Sequence, residues 1–221
     1  MNRPLPEFVA AFNDLVKESE NLCSITRDSD LQRAACSMLE DAIQRTHIEK
    51  QEAISGCNEN YANLLLGCES VAQALVAELN MWLLLKEGTP DEAWNHLVAA
   101  QMASVDAARA HDGFQHLEHH HRRLVAIEHL VFPRQVFVSS GMLVGFQECS
   151  ICSQDYDDCE HLVGRPYMGS FCCIIARDIT LDHVAIVDHP ADKRCRVERF
   201  SVDGGTRNRM TWKIERDESD A

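Results

Sequence analysis

The first 130 residues repeat apolar side chains at a helical period of three to four residues, which predicts five amphipathic helices. The first helix follows Pro4 and Pro6, which suit a first helical turn. The second is predicted to be capped by Ser29 and to end at Gly56. Its predicted apolar stripe consists of Leu31, Ala34, Ala35, Met38, Leu39, Ala42 and Ile43.

The third helix has the strongest pattern, and it is predicted over about residues 59–87. Its apolar stripe is wide, which indicates the central and most buried helix of the group. Gly88 is predicted to end it, and Thr89 and Pro90 predict the cap and first turn of a fourth helix. A turn at His111–Gly113 is predicted to lead into a fifth helix that runs through about Leu130 and is ended by Pro133. Short links between amphipathic helices are typical of an antiparallel bundle.

Beyond Pro133 the pattern changes to short apolar runs between turn residues, which predicts strands. The segment Ser139–Gly141 is predicted to separate two of these strands, and Asp203–Gly205 is predicted to be a tight turn. The charged residues 217–221 are predicted to fray. The predicted strands are 135–138, 142–146, 171–176, 183–187, 195–202 and 209–214.

The two patterns together predict an α+β fold with two parts. An antiparallel helical bundle is expected over residues 1–131, followed by a small, zinc-stabilised β-rich module over residues 132–216. The net charge is -14, and residues 1–130, with 10 basic and 20 acidic side chains, supply most of it. A general affinity for DNA or RNA is therefore not expected, because phosphate binding needs clustered positive charge.

The chain contains no run of eighteen apolar residues, so no membrane span is expected. Its first residues show no basic segment followed by an apolar one, so no secretory signal is expected either. These observations predict a cytoplasmic protein. Its ten cysteines are then expected to be thiols or metal ligands rather than a disulfide framework.

The most specific chemical motif lies near residue 150. Cys149 and Cys152 form a Cys-x-x-Cys knuckle, and Cys159 and His161 follow after a polar loop that cannot pack a core. Three thiolates and one imidazole form a Cys₃His set, which suits tetrahedral Zn²⁺. Four such ligands leave no open position, so the sequence predicts a structural rather than a catalytic zinc site.

Some alternatives to this assignment stay open. Cys172 or Cys173 could replace His161 as the fourth ligand, because Cys159 and His161 are only two positions apart. The knuckle could also be a redox dithiol, although that motif normally opens a helix in a βαβ unit, or a chance pair of buried cysteines.

A histidine cluster in the fifth helix is a second candidate. It consists of His116, His119, His120 and His121 beside Glu118. Glu118 and His121 match half of the di-iron bundle motif, but no second Glu-x-x-His is present in the bundle. A solvated helix face or a contact with a partner is expected, and a weak metal site is the alternative.

The last thirty residues are locally basic, but acidic residues are interleaved with the basic ones. A solvated sheet face is the expected interpretation, and a weak nucleic-acid patch is the alternative. That patch would consist of Arg194, Arg196, Arg199, Arg207 and Arg209. No nucleophile motif of the Gly-x-Ser-x-Gly type and no phosphate-binding loop occurs in the chain.

Residues 149–196 resemble a segment of some tailed-phage prohead proteases. The resemblance is carried by the Cys149–Cys152 and Cys159–His161 spacings, by Gly164–Gly169 and Cys172 or Cys173, and by residues 182–191, Asp-His-Val-Ala-Ile-Val-Asp-His-Pro-Ala. The chain as a whole is similar to uncharacterised bacterial proteins that combine a helical bundle with such a zinc-and-strand module.

The resemblance implies a serine protease fold, but Ala185 stands where that family's strand carries its serine. Because a methyl group replaces the hydroxyl, the resemblance implies a catalytically silent copy. The favoured expectation is a non-enzymatic adaptor or scaffold in which zinc fixes a recognition loop near Gly164–Gly169. Its partner would be a protein, and a homo-oligomer is also allowed.

Two other functions stay open at this point. One is a protease-like hydrolase remnant that uses His183 or His189 with an unidentified serine. The other is a nucleic-acid-linked regulator, acting in conflict with phages through the basic C-terminal strands.

Overall fold

The computed structural model of the protein describes residues 7–216, without the side chains of residues 7, 8 and 116. Pro4, Pro6 and the predicted frayed tail 217–221 lie outside the described residues. Five α-helices precede a strand-rich region, so the α+β class is confirmed. The helices are α1 (Glu7–Glu20), α2 (Ser29–Ser55), α3 (Glu59–Glu87), α4 (Pro90–Ala110) and α5 (Glu118–Val131), with a 3₁₀ turn, Asp112–Leu117, before α5.

Local signals fix most of the helix ends. Gly56 caps α2, and Gly88, at a φ of 79°, caps α3 in the left-handed conformation that glycine adopts without strain. The predicted cap Ser29 is wrong, because Asp28 holds that place and its carboxylate accepts the backbone N–H groups of Asp30 and Leu31.

Helix α3 is the centre of the bundle and packs against α2 and α4. Among the described residues it is the one helix long and apolar enough to cross a membrane, yet 72% of its apolar window is buried inside the protein. A buried core helix of a water-soluble protein also passes this test of length and composition. The burial of α3 is thus accounted for by its neighbouring helices.

Two large apolar clusters and one small one form along α3. The first joins α1, α2 and the middle of α3 around Phe12, Leu39 and Leu75. The second joins the C-terminal half of α3 to α4 and α5 around Trp94, and it includes Met210 from the strand-rich region. The end of the chain therefore completes the core of the bundle.

The predicted apolar stripe of α2 is partly wrong. Leu31, Ala34 and Met38 are exposed, whereas Gln32 on the same helix is fully buried. The Gln32 amide nitrogen donates to the carbonyls of Leu22 and Ser24, at 2.8 and 2.9 Å. Those hydrogen bonds hold the α1–α2 link and compensate for the burial of a polar side chain.

Two long strands replace four of the short strands that the sequence predicts. β1 (Phe137–Cys149) and β4 (Ile174–Val187) pair antiparallel along their whole length, with one register shift after Gly141. The predicted loop at Ser139–Gly141 is wrong, because the chain continues through it as strand with a bulge opposite. We refer to the pair β1–β4 as the ribbon.

The remaining strands are short. β2 (Pro166–Tyr167) and β3 (Ser170–Phe171) form a hairpin inside the loop that joins β1 to β4. β5 (Arg199–Val202), β6 (Gly205–Asn208) and β7 (Ile214–Glu215) form a three-stranded sheet. The tight turn at Asp203–Gly205 is confirmed, whereas the predicted strand 209–214 is for the most part a turn between β6 and β7.

Candidate metal centre

The predicted metal ligands lie in the loop that joins β1 to β4. Cys149 is the last residue of β1, and the turn after it is closed by the Ser153 N–H, which donates to the Cys149 carbonyl at 2.9 Å. The Cys149 N–H donates in turn to the Gln154 carbonyl at 2.9 Å. This turn brings the thiols of Cys149 and Cys152 together.

A short 3₁₀ turn, Tyr156–Asp158, delivers the second pair of ligands. Two tyrosine hydroxyls hold the segment that follows: Tyr167 accepts the Leu162 N–H at 3.0 Å and Tyr156 accepts the Val163 N–H at 3.2 Å. The Tyr167 ring also packs edge-on against the imidazole of His161, with 4.7 Å between the ring centroids. The contact with Tyr167 thus helps to fix the orientation of the His161 imidazole.

The four donor atoms converge on one point. The ligand atoms of Cys149, Cys152, Cys159 and His161 all lie within 4.8 Å of one another. His161 Nδ1 is buried and has no hydrogen-bond partner in the described part of the chain. A buried nitrogen without a partner is costly unless something else binds it, and three thiols beside it suit a metal ion. This group is a candidate metal-binding site.

The electrostatics of the thiols favour a cation among them. Burial opposes ionisation of Cys149, but the backbone N–H groups of Cys152 and Ile151 and the neighbouring thiols outweigh it and lower the pKa of Cys149 to about 6. Burial raises the pKa of Cys159, and the same effect together with Cys149 raises the pKa of Cys172 to about 11. The ionised thiol of Cys149 therefore opposes ionisation of the neighbouring thiols, and a bound cation would offset the repulsion between the thiolates.

Cys172 is a fifth donor beside this group. It is buried, and its Sγ lies 3.8 Å from Cys149 Sγ. Cys173 is exposed and its backbone N–H donates to Ser150 Oγ. The structure thus brings Cys172, and not the Cys173 thiol, next to the predicted ligands.

The loop is fastened to the bundle at a place that the sequence does not indicate. The Gly169 N–H donates to Asn63 Oδ1 at 2.8 Å and the Met168 N–H donates to Glu59 Oε1 at 3.3 Å, both at the start of α3. Gly169, at a φ of 74°, also lies against the aliphatic stem of Lys50. No sequence motif marks Glu59 and Asn63, because each contacts a residue more than a hundred positions away along the chain.

The histidine cluster is divided between different environments. His119 is exposed, and the His116 side chain lies outside the described residues. His120 points inward, where its Nε2 lies 3.3 Å from the buried carboxylate of Glu78. His121 Nδ1 lies 3.3 Å from the Gln101 carbonyl. Within residues 7–216, the Cys/His group of the loop is the one cluster suited to a metal ion.

Several of the C-terminal arginines are engaged within the protein. The Arg196 side chain is fully buried, lies 5.9 Å from the Trp94 ring and donates to Asp91 at 2.7 Å. Arg194 pairs with Asp192, and Arg199 lies 3.5 Å from Glu215. Arg207 and Arg209 lie over the rings of Trp212 and Phe200. Arg196 at least belongs to the core and not to a surface patch.

The residues of the hydrolase hypothesis lie on the ribbon and at its base. Ala185 pairs with Ser139, and His183 pairs with Gly141 two positions further along the ribbon. His183 is exposed, and its Nδ1 lies 3.1 Å from Asp182. Of the described serine hydroxyls, none is hydrogen-bonded to His183. His189 lies elsewhere, lining a cleft of about 680 Å³ between the end of α5 and the base of the ribbon.

Comparison with known proteins gives no further assignment. No protein-family model, curated protein or solved structure matches this chain.

Proposed function

We propose that this protein is a non-enzymatic adaptor in which a structural Zn²⁺ fixes a protein-binding loop. The observation that carries the proposal is the convergence, within 4.8 Å, of three thiols and an imidazole nitrogen that has no hydrogen-bond partner in the part of the chain that the structure describes. Three sulfur donors and one nitrogen donor suit zinc, which binds four such ligands tetrahedrally. A full set of four protein ligands leaves no position for a reacting water, which supports a structural role.

The loop needs such an organiser because it buries little of its own surface. Between residues 149 and 173, the buried residues are Cys149, Gly169 and Cys172. Structural zinc contributes on the order of 10 kcal/mol to the folding of small modules. That contribution would replace the apolar core that this segment lacks.

The expected recognition surface is shifted by the packing of the loop. Met168 and Gly169 are held against α3, so this end of the Gly164–Gly169 segment faces the bundle. Leu162 and Val163, directly after the ligand His161, are 51% and 52% exposed. An aliphatic pair presented on a rigid loop supports a contact with a protein partner, and we assign the binding surface to these two residues.

The proposal places the protein in the cytoplasm, where zinc-bound thiolates are protected from oxidation to disulfides. The experiment is capture of cross-linked partners by the intact protein and by three variants. Leu162→Ser with Val163→Ser removes the exposed pair and keeps the ligands. Cys152→Ser removes a ligand, and Cys195→Ser is the matched control, since Cys195 is exposed and outside the cluster.

The proposal predicts one partner that the wild type and Cys195→Ser both retain. Both the double variant, with zinc still bound, and Cys152→Ser should lose it. Equal capture by the double variant and the wild type would overturn the assignment of the surface. Labelling of the folded protein by a serine-reactive probe would instead favour the hydrolase.

A further inference from the structure

The two faces of the ribbon differ in chemistry. The register of β1 and β4, with its bulge at Asp182, fixes which side chains share a face, since successive side chains alternate. One face, which we call the apolar face, carries Val138, Met142, Val144, Phe146, Ile175, Ile179, Leu181, Val184 and Ile186.

The opposite face is mainly polar or small. It includes Ser139, Gly141, Gln147, Asp178 and Thr180, and its large exposed aliphatic side chains among the described residues are Leu143 and, at the metal-site end, Ile174. This separation of chemistry is typical of a sheet with one buried and one solvated face.

Yet the apolar face is not covered by the rest of the chain. None of the residues from Ser139 to Glu148 or from Ile175 to Ile186 is buried. Leu181, Val184 and Ile186 are 63%, 64% and 77% exposed. Within residues 7–216, the ribbon is anchored near its two ends, by the contact of Phe137 with Trp94 at one end and through the loop that joins β1 to β4 at the other.

An uncovered ribbon of this kind is physically unfavourable. Two strands alone are marginally stable in water, and three or more strands or a packed layer are needed. Monomeric proteins seldom expose contiguous apolar patches of more than a few hundred Å². A partner layer is therefore required by the sequence of the ribbon itself.

The area of the apolar face is large enough for the interface of a small symmetric dimer. The thirteen residues of β1 span about 40 Å and two strands span about 10 Å, so one face projects on the order of 400 Å². Because side chains corrugate that surface, two such faces would bury on the order of 1,000 Å² in total, the lower limit for a specific interface.

The charge distribution selects a second copy as the occupant. A two-fold interface sets a patch against itself, so any net charge on it would repel its own image. The two charged residues of the apolar face, Glu148 and Arg177, neutralise each other at 2.9 Å. The whole molecule carries -14, which makes this neutral face the surface on which two copies meet without a charge conflict.

We propose that the apolar face of the ribbon packs against the same face of a second copy of this chain. Two ribbons then form a two-layer sandwich about 10 Å thick, with Met142, Ile179 and Leu181 near its centre. The interface involves neither the metal ligands nor Leu162 and Val163. It therefore does not rest on the proposed function.

The experiment is sedimentation equilibrium of the full chain with two matched variants from adjacent positions of β4. Leu181→Lys places like charges against each other across the two-fold axis. Thr180→Lys adds the same charge one residue away, on the opposite face of the ribbon. Circular dichroism and metal content establish that each variant is folded.

We expect the wild type and Thr180→Lys to sediment at twice the chain mass of 24.9 kDa, and Leu181→Lys at the chain mass. Mixing Leu181→Lys with Leu181→Glu should restore a dimer through the opposite charges. A monomeric wild type at 100 µM, or equal dimerisation of both lysine variants, would overturn the proposal. The double variant of Leu162 and Val163 should remain dimeric, which separates this test from that of the adaptor function.

Discussion

Five potential donors surround the candidate metal centre, and a tetrahedral ion uses four. His161 differs from Cys172 because its Nδ1 is buried without a hydrogen-bond partner among the described residues, whereas the Cys172 thiol has Cys149 Sγ at 3.8 Å. The cost of leaving a buried imidazole nitrogen unpaired favours the histidine as ligand. In this assignment Cys172 contacts the Cys149 thiol but does not bind the metal.

This assignment predicts different outcomes for two single substitutions. His161→Ala should weaken metal binding at least tenfold, because removal of one ligand leaves three. Cys172→Ser should keep one metal per chain with little change in affinity. Competition with a chromophoric zinc chelator measures both, and the reverse ranking would make Cys172 the fourth ligand.

A second residue-scale feature is the buried carboxylate of Glu78 in α3. Its side chain is fully buried, it accepts from Arg123 and from the Trp82 indole, and His120 Nε2 lies 3.3 Å away. Burial raises the pKa of Glu78. Burial, Arg123 and His121 lower the pKa of His120 to about 4, so the imidazole is neutral at pH 7.

The lowered pKa of His120 predicts how stability depends on pH. Between pH 6.5 and about 4 the unfolded chain binds a proton at His120 that the folded chain does not, so acidification favours unfolding. The wild type should lose about 3 kcal/mol relative to His120→Gln over that window. Urea unfolding of both proteins at a series of pH values measures the difference, and the contribution of the candidate metal site is common to both. Parallel profiles would show that His120 does not titrate in this way.

At the scale of elements, α2 and α3 are joined by a buried ion pair. Lys50 and Glu69 are 9% and 7% exposed, and the ammonium donates to the carboxylate. His47 lies 3.3 Å from the same carboxylate. Because Gly169 of the metal-site loop rests on the stem of Lys50, this pair also supports the docking of the loop.

Breaking this pair from one side should be strongly destabilising. Glu69→Gln leaves a buried ammonium without its anion, and we expect a loss of about 3–5 kcal/mol in the free energy of unfolding. Glu118→Gln is the matched control, because the Glu118–Arg122 pair is more than two-thirds exposed and should be worth less than about 1 kcal/mol. Adding Lys50→Met to Glu69→Gln should recover part of the loss. Equal urea midpoints for the two single variants would contradict this account.

The helices were predictable because their signals are local. The bounds of α3 follow from its apolar period and from Gly88, which few other residues could replace at a φ of 79°. The failures on α2 have a different cause, since Gln32 is buried through hydrogen bonds to carbonyls near the end of α1. Apolar periodicity contains no information about such partners.

The strands were less predictable because pairing is not local. Ser139–Gly141 has the composition of a loop, yet it remains strand because Ala185, Val184 and His183 pair with it across the ribbon. The candidate metal ligands, in contrast, lie within twelve positions of one another, so their grouping is visible without knowledge of the fold. The sequence left Cys172 open as an alternative ligand, because the distance between its thiol and that of Cys149 depends on how β4 begins.

At the scale of the molecule, the candidate metal site and the apolar core of the bundle lie in different parts of the chain. Both large apolar clusters draw mainly on residues of the helices. The loop between residues 149 and 173 has no comparable cluster among the described residues. We therefore treat the loop as the part that depends on the metal.

Metal removal should separate the two parts experimentally. After chelation, hydrogen exchange should accelerate in residues 149–173 and in the adjoining end of the ribbon, because the loop loses its organising contacts. The helical circular dichroism signal should be largely retained. Loss of that signal on chelation, and its recovery with zinc, would show instead that the bundle needs the metal to fold.

The central claim is that one structural zinc ion is bound by Cys149, Cys152, Cys159 and His161. X-ray absorption at the zinc edge of the purified protein tests it most directly, together with the metal content per chain. The account predicts one zinc per chain, with three sulfur neighbours at about 2.3 Å, one nitrogen at about 2.0 Å and no oxygen. Substoichiometric zinc, or a coordinated water oxygen in the first shell, would contradict it.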